Sequence, residues 1–171
     1  MKQILIAMSV VGLLATTPVL SNGVKWSSGT SKSKMDDSTT AWLDFEANEL
    51  YTKGFNKGYP QMNIVCRENS TQFYFKMAGA HLTSSEYDKT WGTVRYRIDD
   101  KKASSWSMRE STDNTALGLW RGRGIGQIKK LIGAKTLTVA ITPYSETTFT
   151  MSFNIEGIGE KLKDVRSNCN W

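Results

Sequence analysis

The stretch TFTMSFNI at residues 148–155 alternates without a break: Phe149, Met151, Phe153 and Ile155 take every second position, with Thr148, Thr150, Ser152 and Asn154 between them. A period of two fits an extended strand with one buried face, because successive side chains of a strand point to opposite sides. The pattern recurs. AWLDFEA sets Ala41, Leu43, Phe45 and Ala47 against Asp44 and Glu46, QFYFKM groups Phe73, Phe75 and Met77, and TVRYRID groups Val94, Tyr96 and Ile98. TLTVAIT does the same with Leu137, Val139 and Ile141, and MNIVC, SWSM and ALGLW carry weaker versions. Turn chemistry falls between the runs, in DDKK at 99–102, STDNT at 111–115 and TPYSE at 142–146. Short strands joined mostly by short turns predict a mainly β, antiparallel fold, either a β-sandwich or a partly open barrel. Parallel pairing would need more crossover helices than the chain holds.

Two stretches change period. GIGQIKKLIG spaces Ile125, Ile128, Leu131 and Ile132 as a short internal helix that stops at Gly133. GIGEKLKDVRSNC spaces Ile158, Leu162, Val165 and Cys169 along one stripe, which predicts a C-terminal helix packed on the sheet. Cys169 is therefore on a buried stripe, and Cys66 shares a strand face with Met62 and Ile64.

The start of the chain sets the compartment. Met1 and Lys2 precede the apolar run ILIAMSVVGLL, too short to span a bilayer comfortably, with small residues near Ser21. Residues 1–21 read as a secretory signal peptide, residues 22–34 (NGVKWSSGTSKSK) as a flexible leader, and residues 35–171 as a single β-rich domain. Export through a cleaved signal implies a periplasmic location, and no later stretch is apolar enough to cross a membrane. An oxidising compartment favours a disulfide, and the two cysteines permit one intramolecular bridge. If the last helix lies across the sheet, a Cys66–Cys169 bridge staples it there and Trp171 covers the join; two free buried thiols are the alternative. Lys and Arg number 22 against 16 Asp and Glu, for a formal charge of +6 that falls by one if Lys2 leaves with the signal. Such a moderate excess in an exported protein suits anionic glycans, headgroups or acidic proteins rather than nucleic acid.

Catalytic patterns are sparse. A Ser-His-Asp arrangement would have to use His81, the single histidine, and no nucleophile-elbow pattern accompanies it. One histidine and two cysteines that pair leave too few ligands for zinc, and no motif calls for a cofactor. The acid pairs Asp36, Asp37 and Asp99, Asp100 fall in turn-like segments, where neighbouring side chains diverge instead of facing each other across a cleft. The richer stretch is WRGRGIG at 120–126. Arg121 and Arg123 flank Gly122 before a predicted helix and offer an anion site, although no phosphate-loop spacing follows. Among Trp26, Trp42, Trp91, Trp106, Trp120 and Trp171, Trp42 falls on the polar face of its strand and is the best exposed binding candidate; core packing is expected of most of the others.

The order of MDDSTTAWLDFEA, VCRENST, VRYRID, SWSMRESTDNTALGLW, IKKLIGAKTLTVAITPYSETTFTMSFNIEG and VRSNCNW resembles the VasI (TagO) family of exported proteins associated with type VI secretion. The resemblance runs from about Met35 to Trp171 and includes both cysteines. It implies a non-enzymatic periplasmic accessory of a contractile secretion apparatus, binding an envelope protein or peptidoglycan. Two other roles fit the same residues: a phage- or mobile-element-encoded inhibitor or exclusion factor acting on an envelope enzyme or receptor, and a hydrolase acting on peptidoglycan.

Overall fold

The structure is a computed structural model that describes residues 25–83 and 92–171. The signal-peptide reading of residues 1–21 and the ring of Trp91 lie outside the described residues. Twelve strands and three short helices are found among them.

The first sheet has six antiparallel strands in the order β1 (Trp26–Lys32), β2 (Thr39–Glu46), β5 (Gln61–Arg67), β6 (Ser70–Lys76), β10 (Ala116–Leu119) and β9 (Arg109–Glu110). The second has four, in the order β12 (Phe149–Asn154), β11 (Thr136–Ile141), β7 (Thr93–Ile98) and β8 (Ser104–Ser107). A separate two-stranded hairpin joins β3 (Tyr51–Lys53) to β4 (Asn56–Gly58). The main sheets face each other across one core and neither closes into a barrel, which settles the sandwich-or-barrel expectation in favour of two open sheets.

The alternating runs form the core as their period demands. Leu43, Phe45, Ile64, Phe73 and Phe75 face inward from one sheet, and Val94, Leu137, Val139, Met151 and Phe153 from the other. Between them Trp106 stacks on Tyr96 with ring centroids 3.8 Å apart and meets the edge of Phe73 at 5.3 Å, while Phe75 packs on Phe153 at 5.8 Å. Offset and edge-to-face pairs of this kind add to the apolar burial that dominates folding. At one side Glu49 fastens the end of β2 to β12, its carboxylate accepting from the Ser152 backbone N–H at 2.6 Å and hydroxyl at 2.7 Å.

Three features depart from the sequence expectation. Residues 26–32, read as part of a flexible leader, form β1 along the whole of β2, from Trp26 opposite Phe45 to Lys32 opposite Thr39. This edge strand is mostly exposed, so it shows no apolar alternation; backbone hydrogen bonds hold it, and its lysine suits an edge. The β3–β4 hairpin also escapes the pattern. It is tied down by Tyr51, whose hydroxyl donates to Glu146 and whose ring meets Phe149 edge-on at 5.2 Å, and by a Lys53–Glu146 ion pair of 2.5 Å. Burial works to raise the Glu146 pKa, but the bonds from Lys53 and Tyr51 outweigh it and hold the carboxyl below its usual value.

The expected C-terminal helix is two: α2 (Ile158–Lys161) and α3 (Lys163–Cys169). Leu162 between them, with φ −74° and ψ −6°, is right-handed but flattened from the helical mean; it ends α2 and begins α3. The buried stripe survives the break, with Ile158, Leu162, Val165 and Cys169 all inside. Helix α3 lies across β2 and β5, and the Cys66–Cys169 disulfide joins it to the sheet with the two Cα atoms 5.8 Å apart. Asn168 donates to the Thr39 carbonyl at 3.0 Å beside it, and the indole N–H of Trp171 donates to the buried Thr71 hydroxyl at 2.8 Å. No described helix is long and apolar enough to cross a membrane.

Candidate binding groove

Strand β10 leaves the first sheet at Leu119, and the next five residues turn the chain into helix α1 (Ile125–Leu131). Arg121 and Gly122 at the centre of that turn both have positive φ, 56° and 77°, and the Arg123 N–H reaches back to the Trp120 carbonyl at 3.3 Å. Two left-handed central residues are the mark of the tightest reversals, in which Asn-Gly is the favoured pair. Arginine in the first of these positions is costly, and the turn is fixed from below by Gly122 N–H donating to the Thr71 carbonyl at 2.7 Å.

The turn faces the β9–β10 hairpin. Its loop is organised by Asp113, whose carboxylate accepts from the Ser111 hydroxyl at 2.5 Å and from the Thr115 hydroxyl and N–H at 3.0 and 3.2 Å. Those bonds, Ser111 first, lower the Asp113 pKa to about 2. The resulting register puts Arg109 opposite Gly118. Between the turn and the hairpin lies a groove of about 830 Å³, lined among others by Gln72, Arg109, Thr112, Trp120, Arg121 and Arg123. The Trp120 ring is stacked on Tyr74 with centroids 5.3 Å apart, and its N–H donates to the Arg109 carbonyl at 2.9 Å. The aromatic wall is therefore held on two sides, while the two salt bridges formed among the described residues, Lys32–Asp37 and Lys53–Glu146, involve none of the three arginines.

The groove opens onto the outer face of the six-stranded sheet. Asp44, Asn63, Tyr74 and Gly118 stand in one row across β2, β5, β6 and β10, ending at Arg109 on β9. Gly29, Trp42, Val65 and Gln72 form the next. Each row needs a glycine for close approach: a Cβ on Gly29 would fall 2.5 Å from the Trp42 ring, and one on Gly118 would fall 2.5 Å from Tyr74 Cβ. Desolvation raises the pKa of Asp44 against the opposing charge of Lys76, and burial followed by the Asp44 charge raises that of Tyr74. Asn63 is 6 % exposed, and its amide nitrogen has no partner among the described residues.

Of the residues singled out in the sequence, Arg121 and Arg123 meet in the groove. The site is a turn and groove rather than a helix start, since α1 is only seven residues long. Trp42 lies on the same outer face, half-buried over Gly29 and two strands from Gln72, about 10 Å by ordinary strand spacing. It does not line the groove. Cys66 and Cys169 are on the opposite, inner face. His81 is exposed, and its backbone carbonyl holds the Tyr144 N–H at 2.9 Å. Asp99 accepts the Lys135 and Thr136 N–H groups, each at 2.9 Å, which lower its pKa. Asp36 accepts from Ser38 in the turn after β1. Arg109, Gln72 and the wall role of Trp120 were not read from the sequence. Counting outward from the STDNT turn at 111–115 pairs Arg109 with Leu117, one residue short of the observed Arg109–Gly118 pair, so the hairpin was within reach of the sequence but its register was not.

The family described as type VI secretion system VasI, EvfG, VC_A0118 matches residues 16–171, nearly the whole chain. The chain belongs to the VasI family. No curated protein and no solved structure matches it. The groove of this VasI-family protein falls well inside the matched span, as do both cysteines.

Proposed function

We propose that this VasI-family protein is an exported, non-enzymatic accessory of type VI secretion that works in the periplasm by binding an envelope component. Membership of the family across residues 16–171 is the observation that carries this reading. The Cys66–Cys169 disulfide supports it, because such bridges persist in oxidising compartments. So does the start of the chain, with Lys2 ahead of an apolar run that ends near Ser21. A groove lined by arginines and a fixed tryptophan suits recognition, since those residue types dominate binding hot spots.

The test is a deletion strain scored for type VI-dependent killing of target cells and complemented in two ways. The full chain should restore killing, and a version lacking residues 2–21 should not. Cross-linking of the tagged full chain should enrich membrane components of the apparatus over an unrelated exported control. Undiminished killing in the deletion strain, or full rescue by the version confined to the cytoplasm, would overturn the reading.

A further inference from the structure

We infer that the groove between the Trp120–Arg123 turn and the β9–β10 hairpin binds a carboxylated glycan, with peptidoglycan as the occupant. The inference rests on the envelope-binding reading above and names its ligand. Its first support is charge. Arg109 comes from β9 and Arg121 and Arg123 from the turn, so two separate parts of the chain bring three arginines to one recess, against the single acid Glu110 that also lines it. Arg121 and Arg123 are exposed, and no ion pair among the described residues uses any of the three. A guanidinium presents a planar fork of donors that matches a carboxylate at two points, and like charges gathered without partners favour an anion between them.

The second support is the wall. Trp120 is fixed by its stack on Tyr74 and by its bond to the Arg109 carbonyl, so little motion is lost when a ligand packs against it. An indole offers an apolar surface to the C–H face of a sugar ring, while Gln72, Ser107 and Thr112 supply polar partners for its hydroxyls. Peptidoglycan joins these chemistries, with sugar rings beside stem peptides rich in carboxylates. A lipid surface fits less well, because the large apolar side chains most open to solvent, Met35 and Phe55, do not line the groove and could not insert from it.

The experiment is co-sedimentation of the oxidised full chain with purified peptidoglycan sacculi. The full chain should pellet with them. Arg121→Glu with Arg123→Glu should weaken binding at least tenfold while leaving a cooperative melting transition, since neither side chain belongs to the buried core. Lys101→Glu with Lys102→Glu makes the same charge change on the exposed β7–β8 turn and should bind within twofold of the unaltered chain. Sacculi whose carboxylates have been converted to amides should lose the chain to the same extent as the arginine pair does. Failure of the full chain to pellet, equal losses from the two charge-reversal pairs, undiminished binding to amidated sacculi, or preference for phosphatidylglycerol vesicles would each overturn the inference. If sacculus binding fails while cross-linking still captures the secretion apparatus, the glycan inference falls and the accessory role stands. If sacculi bind through the arginines while killing does not depend on the protein, the glycan site stands and the accessory role falls.

Discussion

The inner face of the six-stranded sheet is apolar from Ala41 to Leu117 apart from Thr71, whereas the outer face mixes Trp42 and Tyr74 with Asp44, Asn63, Gln72 and Arg109. The same strands build both, and the pleat alone separates them. Inward, every position answers to packing, and the disulfide adds a covalent link to the helix lying across it. Outward, the face tolerates a buried amide without a partner among the described residues, a desolvated carboxyl and an arginine in a left-handed turn. Packing alone accounts for none of these three, and the arginine stands at the edge where the groove lies. The contrast sets a face whose alteration should unfold the protein against one whose alteration, on the proposed function, should change binding.

The largest expected effects belong to the inner face. Replacing both Cys66 and Cys169 by alanine frees a loop of 103 residues and should lower stability by about 4–5 kcal/mol, the chain-entropy limit for a loop of that length. Urea melts of that variant and of the original chain with and without reductant check it; a loss under about 1 kcal/mol would mean that α3 holds to β2 and β5 without the bridge. Phe73→Ala removes a ring that meets Phe75 at 5.4 Å and Trp106 at 5.3 Å, and should cost about 3–5 kcal/mol. The two losses should add if the sites are independent. They sit on adjacent strands of one face, so a combined loss smaller than the sum would reveal coupling through the shared core.

The outer face should respond in the opposite direction. Arg121→Asn puts a residue that tolerates positive φ where arginine is strained, and should raise stability by about 1 kcal/mol while weakening sacculus binding. A variant gaining stability and losing binding together would show that the strained turn is retained for recognition. If stability does not rise, the turn is relaxed and the contrast between the faces weakens.

The inner face was legible in the sequence because burial imposes a period. Phe149, Met151 and Phe153 alternate, and Cys169 follows Ile158, Leu162 and Val165 at helical spacing, so the staple could be anticipated. Strand β1 was not, since an exposed edge has no apolar face to advertise: Ser27, Ser28 and Ser31 read as a linker until Gly29 is seen to receive the Trp42 ring. The groove was half legible. Arg121 and Arg123 stand together in the chain, but Arg109 joins them only through hairpin pairing, and Gln72 only through the order β6, β10, β9, which links segments distant in sequence. Side-chain period reports burial, and a binding surface assembled across strands leaves no period.

The smallest effect tests the outer face by titration. Asp44 has its folded pKa raised by desolvation, so its stabilising contribution is complete below the ordinary carboxylate value of 3.8 and is lost as pH rises through the raised value. Asp44→Asn should therefore raise the melting temperature at pH 7, and the gain should shrink to nothing as pH falls below about 4. Asp113 carries the opposite sign. Its pKa is lowered to about 2 by Ser111 and Thr115, so its contribution is complete above 3.8 and is lost as pH falls through about 2. Asp113→Ala should lower the melting temperature at pH 7, and that deficit should narrow as pH falls below 3.8. Melting curves from about pH 2.5 to 7 on the three proteins separate the cases. A gain from Asp44→Asn that is independent of pH would assign the effect to packing beside Asn63 rather than to charge, and would remove the desolvated carboxyl from the contrast between the two faces.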